Sequence, residues 1–347
     1  MPKNIVVFSD GTGQEGGKGH NTNVYRLFNM ITDRSPEQIG FYDRGLGTGI
    51  RKITGSIVGA GMSKNIRECY QFIFENFRAG DQIYLFGFSR GAATVRSLSA
   101  FIHMFGILPK SRPELIKQAY KIYEKGYGTK RTARATKFLS QHHTMWTKVK
   151  FLGVWDTVAA LGVPFRTIDV LIDRLPGGRH KFHDFALSPC VEFARHALAI
   201  DDERKTFHPL LWKEIDDKEQ DKKDKQDKQV MKQVWFCGMH TDVGGGYPES
   251  GLSDTALEWM LDEAEHKGLH IHKKLNIDPK PNGEMHNSRS GFPGSIFRHE
   301  QRSWPAGRKD GPVIHKSVQE RTKNQDNKDS PPYKPWIMGL SPKVEGE

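Results

Sequence analysis

The stretch Ile83-Tyr84-Leu85-Phe86-Gly87-Phe88-Ser89-Arg90-Gly91-Ala92 decides how this chain is read. Ile83 to Phe86 form an apolar run without polar alternation, the pattern of a strand buried on both faces. Directly afterwards Ala92, Val95, Leu98 and Ile102 recur at helical spacing, predicting a helix from about Arg90 to Met104. Between the two lies Gly87-Phe88-Ser89-Arg90-Gly91, a G-x-S-x-G pattern. Alone that pattern is weak in a chain with 35 glycines. Between a strand and a helix it describes a sharp, strained turn that lifts the Ser89 hydroxyl above the end of the sheet. The backbone N–H of Arg90, at the start of the new helix, then faces charge developing on a reacting oxygen.

Four more runs read the same way: Ile5 to Phe8, Ile39 to Tyr42, Val149 to Val154 and Val234 to Cys237. Helices fill the gaps. Ile66, Tyr70, Ile73, Phe74 and Phe77 make one apolar stripe, and Ser253 is the expected N-cap of a helix through Leu257, Met260, Leu261 and Ala264. Strands alternating with helices predict an α/β three-layer sandwich with a mostly parallel sheet, and the serine turn makes it α/β-hydrolase-like. The core is expected over 1–157 and 231–270, with a cap-like insertion over 158–230, where strand signals are few. Phe165, Ile168, Val170, Leu171 and Ile172 of that insertion are candidates for an apolar acyl surface. The charged loop 213–233 holds seven Lys and seven Asp/Glu, a solvated pattern. Residues 271–347 read as an irregular C-terminal extension anchored by Trp304 and Trp336.

The 347 residues are 36% hydrophobic and 27% charged, enough for a sizeable core, and no apolar run approaches the length of a membrane span. The N-terminal apolar run is too short for a signal peptide. Cys69, Cys190 and Cys237 lack disulfide-framework or zinc spacing, which points to a reducing cytoplasm. A net charge of +11 invites an anionic partner, but no zinc-finger, RNP or helix-turn-helix signal accompanies it, so nucleic acid is not expected. Gly45-Leu46-Gly47-Thr48-Gly49-Ile50 misses the third glycine of a dinucleotide loop, and no P-loop Lys-Ser/Thr follows Gly16-Gly17-Lys18-Gly19. His142-His143 and His270-Ile271-His272 lack carboxylates at ligand spacing. Neither a metal nor a cofactor is expected.

A serine nucleophile needs a base, and the base needs an orienting acid. The hydrolase chain order is Ser, then Asp or Glu, then His, each just past a strand. Asp156 follows the fourth run and His240 the fifth, so the rule converges on Ser89, Asp156 and His240. His315 is the rival base and Asp242 the rival acid. The second oxyanion donor is expected in Asp10-Gly11-Thr12-Gly13, from Gly11 or Thr12. Asp10 is expected to bond that loop or to approach His240.

Phe8-Ser9-Asp10-Gly11-Thr12, Asn23-Val24-Tyr25-Arg26-Leu27, Gly87 to Ala92, Gly153 to Val158 and Gly238 to Tyr247 together resemble one family's blocks, in that family's order over roughly 4–265. Ile314 to Val318 looks like a further block. The family is the widespread, largely uncharacterised α/β-hydrolase group that includes the type VI secretion phospholipase effectors. The resemblance implies a Ser/Asp/His esterase acting on phospholipid acyl bonds, with Ser89 as nucleophile, Asp156 as acid and His240 as base.

The leading expectation is therefore a serine esterase or phospholipase working through an acyl-Ser89 intermediate. Its expected partners are a lipid or other ester substrate, an anionic membrane surface, and a secretion or immunity partner. It is expected in the cytoplasm of the producing cell, with export by a route that needs no signal peptide. The alternatives are an esterase or thioesterase on a non-lipid substrate, and a basic hydrolase-fold module that binds anionic membrane or nucleic acid.

Overall fold

The structure is a computed structural model that describes residues 1–11, 16–17, 19–45, 55–125, 128–158, 186–215, 228–291, 294–324 and 332–346, with 55–60 as backbone alone. Chain order begins β1 (Asn4–Ser9), α1 (Asn23–Met30), β2 (Gln38–Asp43), α2 (Gly55–Asn76), β3 (Gln82–Phe88) and α3 (Arg90–Phe105). The hairpin of α4 (Glu114–Glu124) and α5 (Thr129–Gln141) leads into β4 (Val149–Trp155), β5 (Val191–Ala199) and β6 (Val230–Phe236). After them come α6 (His240–Gly244), α7 (Gly251–Glu265), β7 (Val313–Ile314), α8 (Lys316–Lys323) and β8 (Lys343–Val344).

The strands form a single sheet in the order β2-β1-β3-β4-β5-β6-β7-β8, and every pairing is parallel. Both faces are covered, which is why the runs do not alternate. Ile5, Val7, Ile83 and Leu85 join the core under α2 to α5. Val6, Phe8, Tyr84 and Phe86, the residues between them, join the core under α1 and α7. The five predicted strands are β1, β2, β3, β4 and β6.

The sixth long strand was hidden. β5 reads Val191-Glu192-Phe193-Ala194-Arg195-His196-Ala197-Leu198-Ala199, and its ionisable residues break the apolar signal. Tertiary contacts accommodate them: Arg195 Nε donates to Glu263 at 2.6 Å, and His196 Nε2 accepts from the Thr157 N–H at 3.1 Å. Residues 191–199 therefore belong to the middle of the sheet, not to an insertion over it. The five acyl-surface candidates between 165 and 172 lie outside the described residues, as does 216–227 of the charged loop.

The C-terminal stretch is less irregular than its composition suggests. It adds β7 and β8 to the sheet edge and packs Trp304, Tyr333 and Trp336 against Leu198, Trp235 and Ile314. The N-cap of α7 is Ser250 in place of Ser253, whose hydroxyl donates to the Ser250 carbonyl from inside the first turn.

The sheet order also places the site. The chain leaves β1 for β2 and then crosses back over β1 to β3, so the carboxyl ends of β1 and β3 flank a crevice where open α/β sheets bind ligands.

Candidate active site

Ser89 caps α3 at φ 57° and ψ −118°, a region that side chains avoid. The turn is held by the Ser89 N–H donating to the Trp155 carbonyl at 3.1 Å. Its two glycines are required by crowding. A Cβ at Gly87 would sit 2.6 Å from the Gly91 carbonyl oxygen, and one at Gly91 would sit 1.9 Å from the Ser9 carbonyl oxygen. Asp156, just past β4, also has positive φ, at 37°.

The folded chain lines up three side chains. His240 Nε2 lies 2.8 Å from Ser89 Oγ, and His240 Nδ1 lies 2.5 Å from Asp156 Oδ2. Asp156 is fully buried, His240 is 5% exposed and Ser89 is 8% exposed, so the line opens to solvent at its serine end. The imidazole is packed by Phe88, 4.5 Å between ring centroids, and Phe207 at 5.2 Å. Its backbone N–H donates to Asp202 Oδ2 at 3.2 Å. The glycines after it make room: a Cβ at Gly244 would lie 2.0 Å from the Phe88 ring.

One residue of this site carried no sequence signal. Arg302 is fully buried and forks onto the acid, Nη1 donating to Asp156 Oδ1 at 2.7 Å and Nη2 to Oδ2 at 2.8 Å. Asp156 Oδ1 also accepts the Ala199 N–H at 3.1 Å. Burial by itself would raise the Asp156 carboxyl, but the charge and hydrogen bonds of Arg302, then those of His240, hold it well below the usual carboxylate range. His240 is pushed below its ordinary 6.5 by burial, with the hydrogen bond and charge of Asp156 opposing the shift.

A base with a lowered pKa stays neutral further into acid. Ester turnover through His240 should therefore be flat through pH 7, with its acid limb below pH 6.5, checked by a pH profile of kcat/KM. An acid limb above pH 6.5 would contradict this assignment.

The rivals sit elsewhere. His315 caps α8, its Nδ1 2.9 Å from Ser317 Oγ and its ring stacked on Phe236, engaged away from Ser89. Asp242 is committed to the Met239 N–H at 3.0 Å and to His286 Nδ1 at 2.6 Å. Asp10 bonds its own loop: Oδ2 accepts from Thr22 Oγ1 and Tyr42 Oη, both at 2.6 Å, and Oδ1 accepts the Gly11 N–H at 2.7 Å.

That last bond bears on the oxyanion donors. With its N–H held by Asp10, Gly11 is not available to a substrate oxygen. Thr12 lies outside the described residues. Arg90 opens α3, so its N–H has no acceptor four residues back within the helix. Burial lowers its guanidinium to about 10. Among the described residues no group of three or more His, Cys, Asp or Glu is placed to hold a metal ion. No described helix is long and apolar enough to cross a membrane.

Residues 3–263 match the family described as the type VI secretion phospholipase effector Tle1-like catalytic domain. The uncharacterized protein YEL023C of Saccharomyces cerevisiae is 30% identical over 237 residues, covering 60% of this chain and 33% of that protein. Among solved structures, an uncharacterized protein from Pseudomonas aeruginosa aligns at 16% identity and TM-score 0.42, over 78% of this chain and 46% of that one. The Tle1 effector bound to the VgrG spike aligns at 18% identity and TM-score 0.39, over 72% and 52%. The esterase Est2 of Thermogutta terrifontis aligns at 13% identity and TM-score 0.39, over 78% and 86%. The chain thus spans about a third of the yeast relative and about half of the first two structures. With the family match running through Ser89, Asp156 and His240 alike, the chain belongs to the Tle1-like phospholipase effector catalytic-domain family of type VI secretion.

Proposed function

We propose that this chain is a serine hydrolase that cleaves the carboxylic esters of phospholipids through an acyl-Ser89 intermediate. The observation that carries the reading is the unbroken hydrogen-bonded line from Ser89 Oγ through His240 to Asp156. His240 Nε2 takes the Ser89 proton as Oγ attacks the acyl carbonyl carbon. The oxyanion forms beside the Arg90 N–H. Collapse breaks the ester C–O bond, and the leaving alcohol takes the proton from Nε2. Water then attacks the acyl-serine with His240 as base, releasing the fatty acid and restoring Ser89. Asp156 fixes the tautomer that keeps the proton on Nδ1 and leaves Nε2 free to accept.

Two features favour a lipid acyl group. The family's described activity is that of a phospholipase effector, and the rings of Phe88 and Phe207 pack on the imidazole, with Phe297 in turn against Phe207. The same family membership supports delivery by a secretion machine, and the net charge of +11 favours an anionic bilayer as the working surface.

The test is mass-spectrometric measurement of fatty acid released from mixed phospholipid vesicles, run beside a panel of short-chain esters. Fatty acid release at rates above those on the short esters is expected, and the position freed identifies the bond cut. Turnover of short esters alone would replace the phospholipid by a small-molecule ester. No turnover and no labelling of Ser89 by a fluorophosphonate would overturn the hydrolase reading.

A further inference from the structure

We propose that Arg302 is a positioning residue of this site, a fourth member that keeps Asp156 aimed at His240. The inference rests on the Ser89 reading above and adds a residue outside the 3–263 span of the family match.

The geometry begins with two loops. Segment 298–300 runs against 203–205, with the Lys205 N–H on the Arg298 carbonyl and the Glu300 N–H on the Glu203 carbonyl, both at 2.9 Å. This pairing delivers Arg302 to the end of β4. There Nη1 donates to Asp156 Oδ1 and to the Ala199 carbonyl, while Nη2 donates to Asp156 Oδ2 and to the Phe207 carbonyl. Four bonds fix the guanidinium, and a fixed fork fixes the carboxylate it grips. Oδ2 is then presented to His240 Nδ1 in one orientation.

The charges facing the pair leave this task to Arg302. His196, on β5, faces Asp156 but accepts the Thr157 N–H through Nε2 and is driven to about 3, first by burial, so it stays neutral. His240 must be neutral at rest to act as a base. Arg204 is held by Asp202, Nη2 to Oδ2 at 2.6 Å. Asp202 and Asp201 also face Arg302, and burial raises Asp201 to about 6. Among the described residues, Arg302 is thus the only cation bonded to Asp156 before reaction. A dry carboxylate without a cation takes up a proton instead of staying charged.

The consequence reaches the base. An ionised Asp156 balanced by Arg302 pulls less on a proton at His240 than a bare carboxylate would. Removing the guanidinium raises the proton affinity of the Asp156–His240 pair, and protonation at either member disables it. Both effects move the acid limb of activity upward in pH.

The experiment compares wild type, Arg302→Gln and Arg302→Lys in the full chain, reading kcat, KM and the pH profile, with circular dichroism to check folding. Arg302→Gln should lose roughly a hundredfold in kcat/KM at neutral pH and shift the acid limb up by about 1 to 3 pH units. Arg302→Lys, which keeps the charge and loses the fork, should lower kcat with little change in KM or in the limb. A residue that only holds the fold would lower the active fraction and leave the limb in place, and that result in a folded Arg302→Gln overturns the proposal. Should Arg302→Gln not fold, Arg302→Lys decides: wild-type kcat in that variant overturns it.

Failure of the hydrolase reading shows separately, as absence of Ser89-dependent turnover in wild type. In that case NMR titration of His240 still decides. A higher pKa in Arg302→Gln supports the proposal, and an unchanged titration overturns it.

Discussion

Ser89→Ala should reduce ester turnover by on the order of a millionfold while leaving the fold intact. The substitution removes one hydroxyl, and with it the bond to His240 Nε2. The residual rate comes from the oxyanion donors and from binding, which the change does not touch. The melting temperature should stay close to that of wild type, because among the described residues the Ser89 hydroxyl bonds His240 alone. Ser89→Gly offers a sharper check on strain. At φ 57° and ψ −118° glycine relieves a conformation that costs a side-chain-bearing residue about 1 kcal/mol or more. Ser89→Gly should therefore be equally inactive and more stable than Ser89→Ala by denaturant unfolding. An Ala variant that retains wild-type turnover would remove Ser89 from the chemistry.

Asp156→Asn should act on rate and stability together. An amide that donates to Nδ1 imposes the wrong tautomer, so Nε2 carries the proton and cannot accept one from Ser89; losses of about ten thousandfold in kcat follow from that inversion. At the same site Arg302 loses its anion while fully buried. Breaking one side of a buried pair costs about 3–5 kcal/mol, since the remaining charge has no water to return to. Turnover and urea unfolding of the same preparation check both halves. Raising the pH should not restore activity, because the amide cannot ionise. A variant that is slow yet as stable as wild type would mean that Arg302 finds another anion, with Asp202 and Asp201 the nearest.

Much of the architecture lay open in the residue order. β1, β2, β3, β4 and β6 announce themselves because strands covered on both faces must be apolar at every position. Gly87 and Gly91 mark the elbow because backbone from β1 and α3 approaches too closely for any Cβ. Asp156 and His240 could be picked from many carboxylates and 15 histidines by a rule of place, since each directly follows the carboxyl end of a strand in the parallel sheet. Local pattern suffices for such features.

Other features have no local pattern to read. β5 has no such pattern because Arg195 and His196 stand where a doubly covered strand is otherwise apolar, and their partners, Glu263 on α7 and the Thr157 N–H just past β4, are remote in sequence. The engagement of the Gly11 N–H by the Asp10 carboxylate has no signature in the residue order either. Arg302 is the extreme case. It is one of 52 basic residues, in a segment rich in proline, glycine and lysine, and nothing in its neighbours sets it apart. Strand, turn and chain order are written in short-range preferences, and these placed Ser89, Asp156 and His240 at a common edge of the sheet. The electrostatics of that edge depend on which charges share a water-free space, and the packing of a loop 146 residues further along the chain from Asp156 determines that.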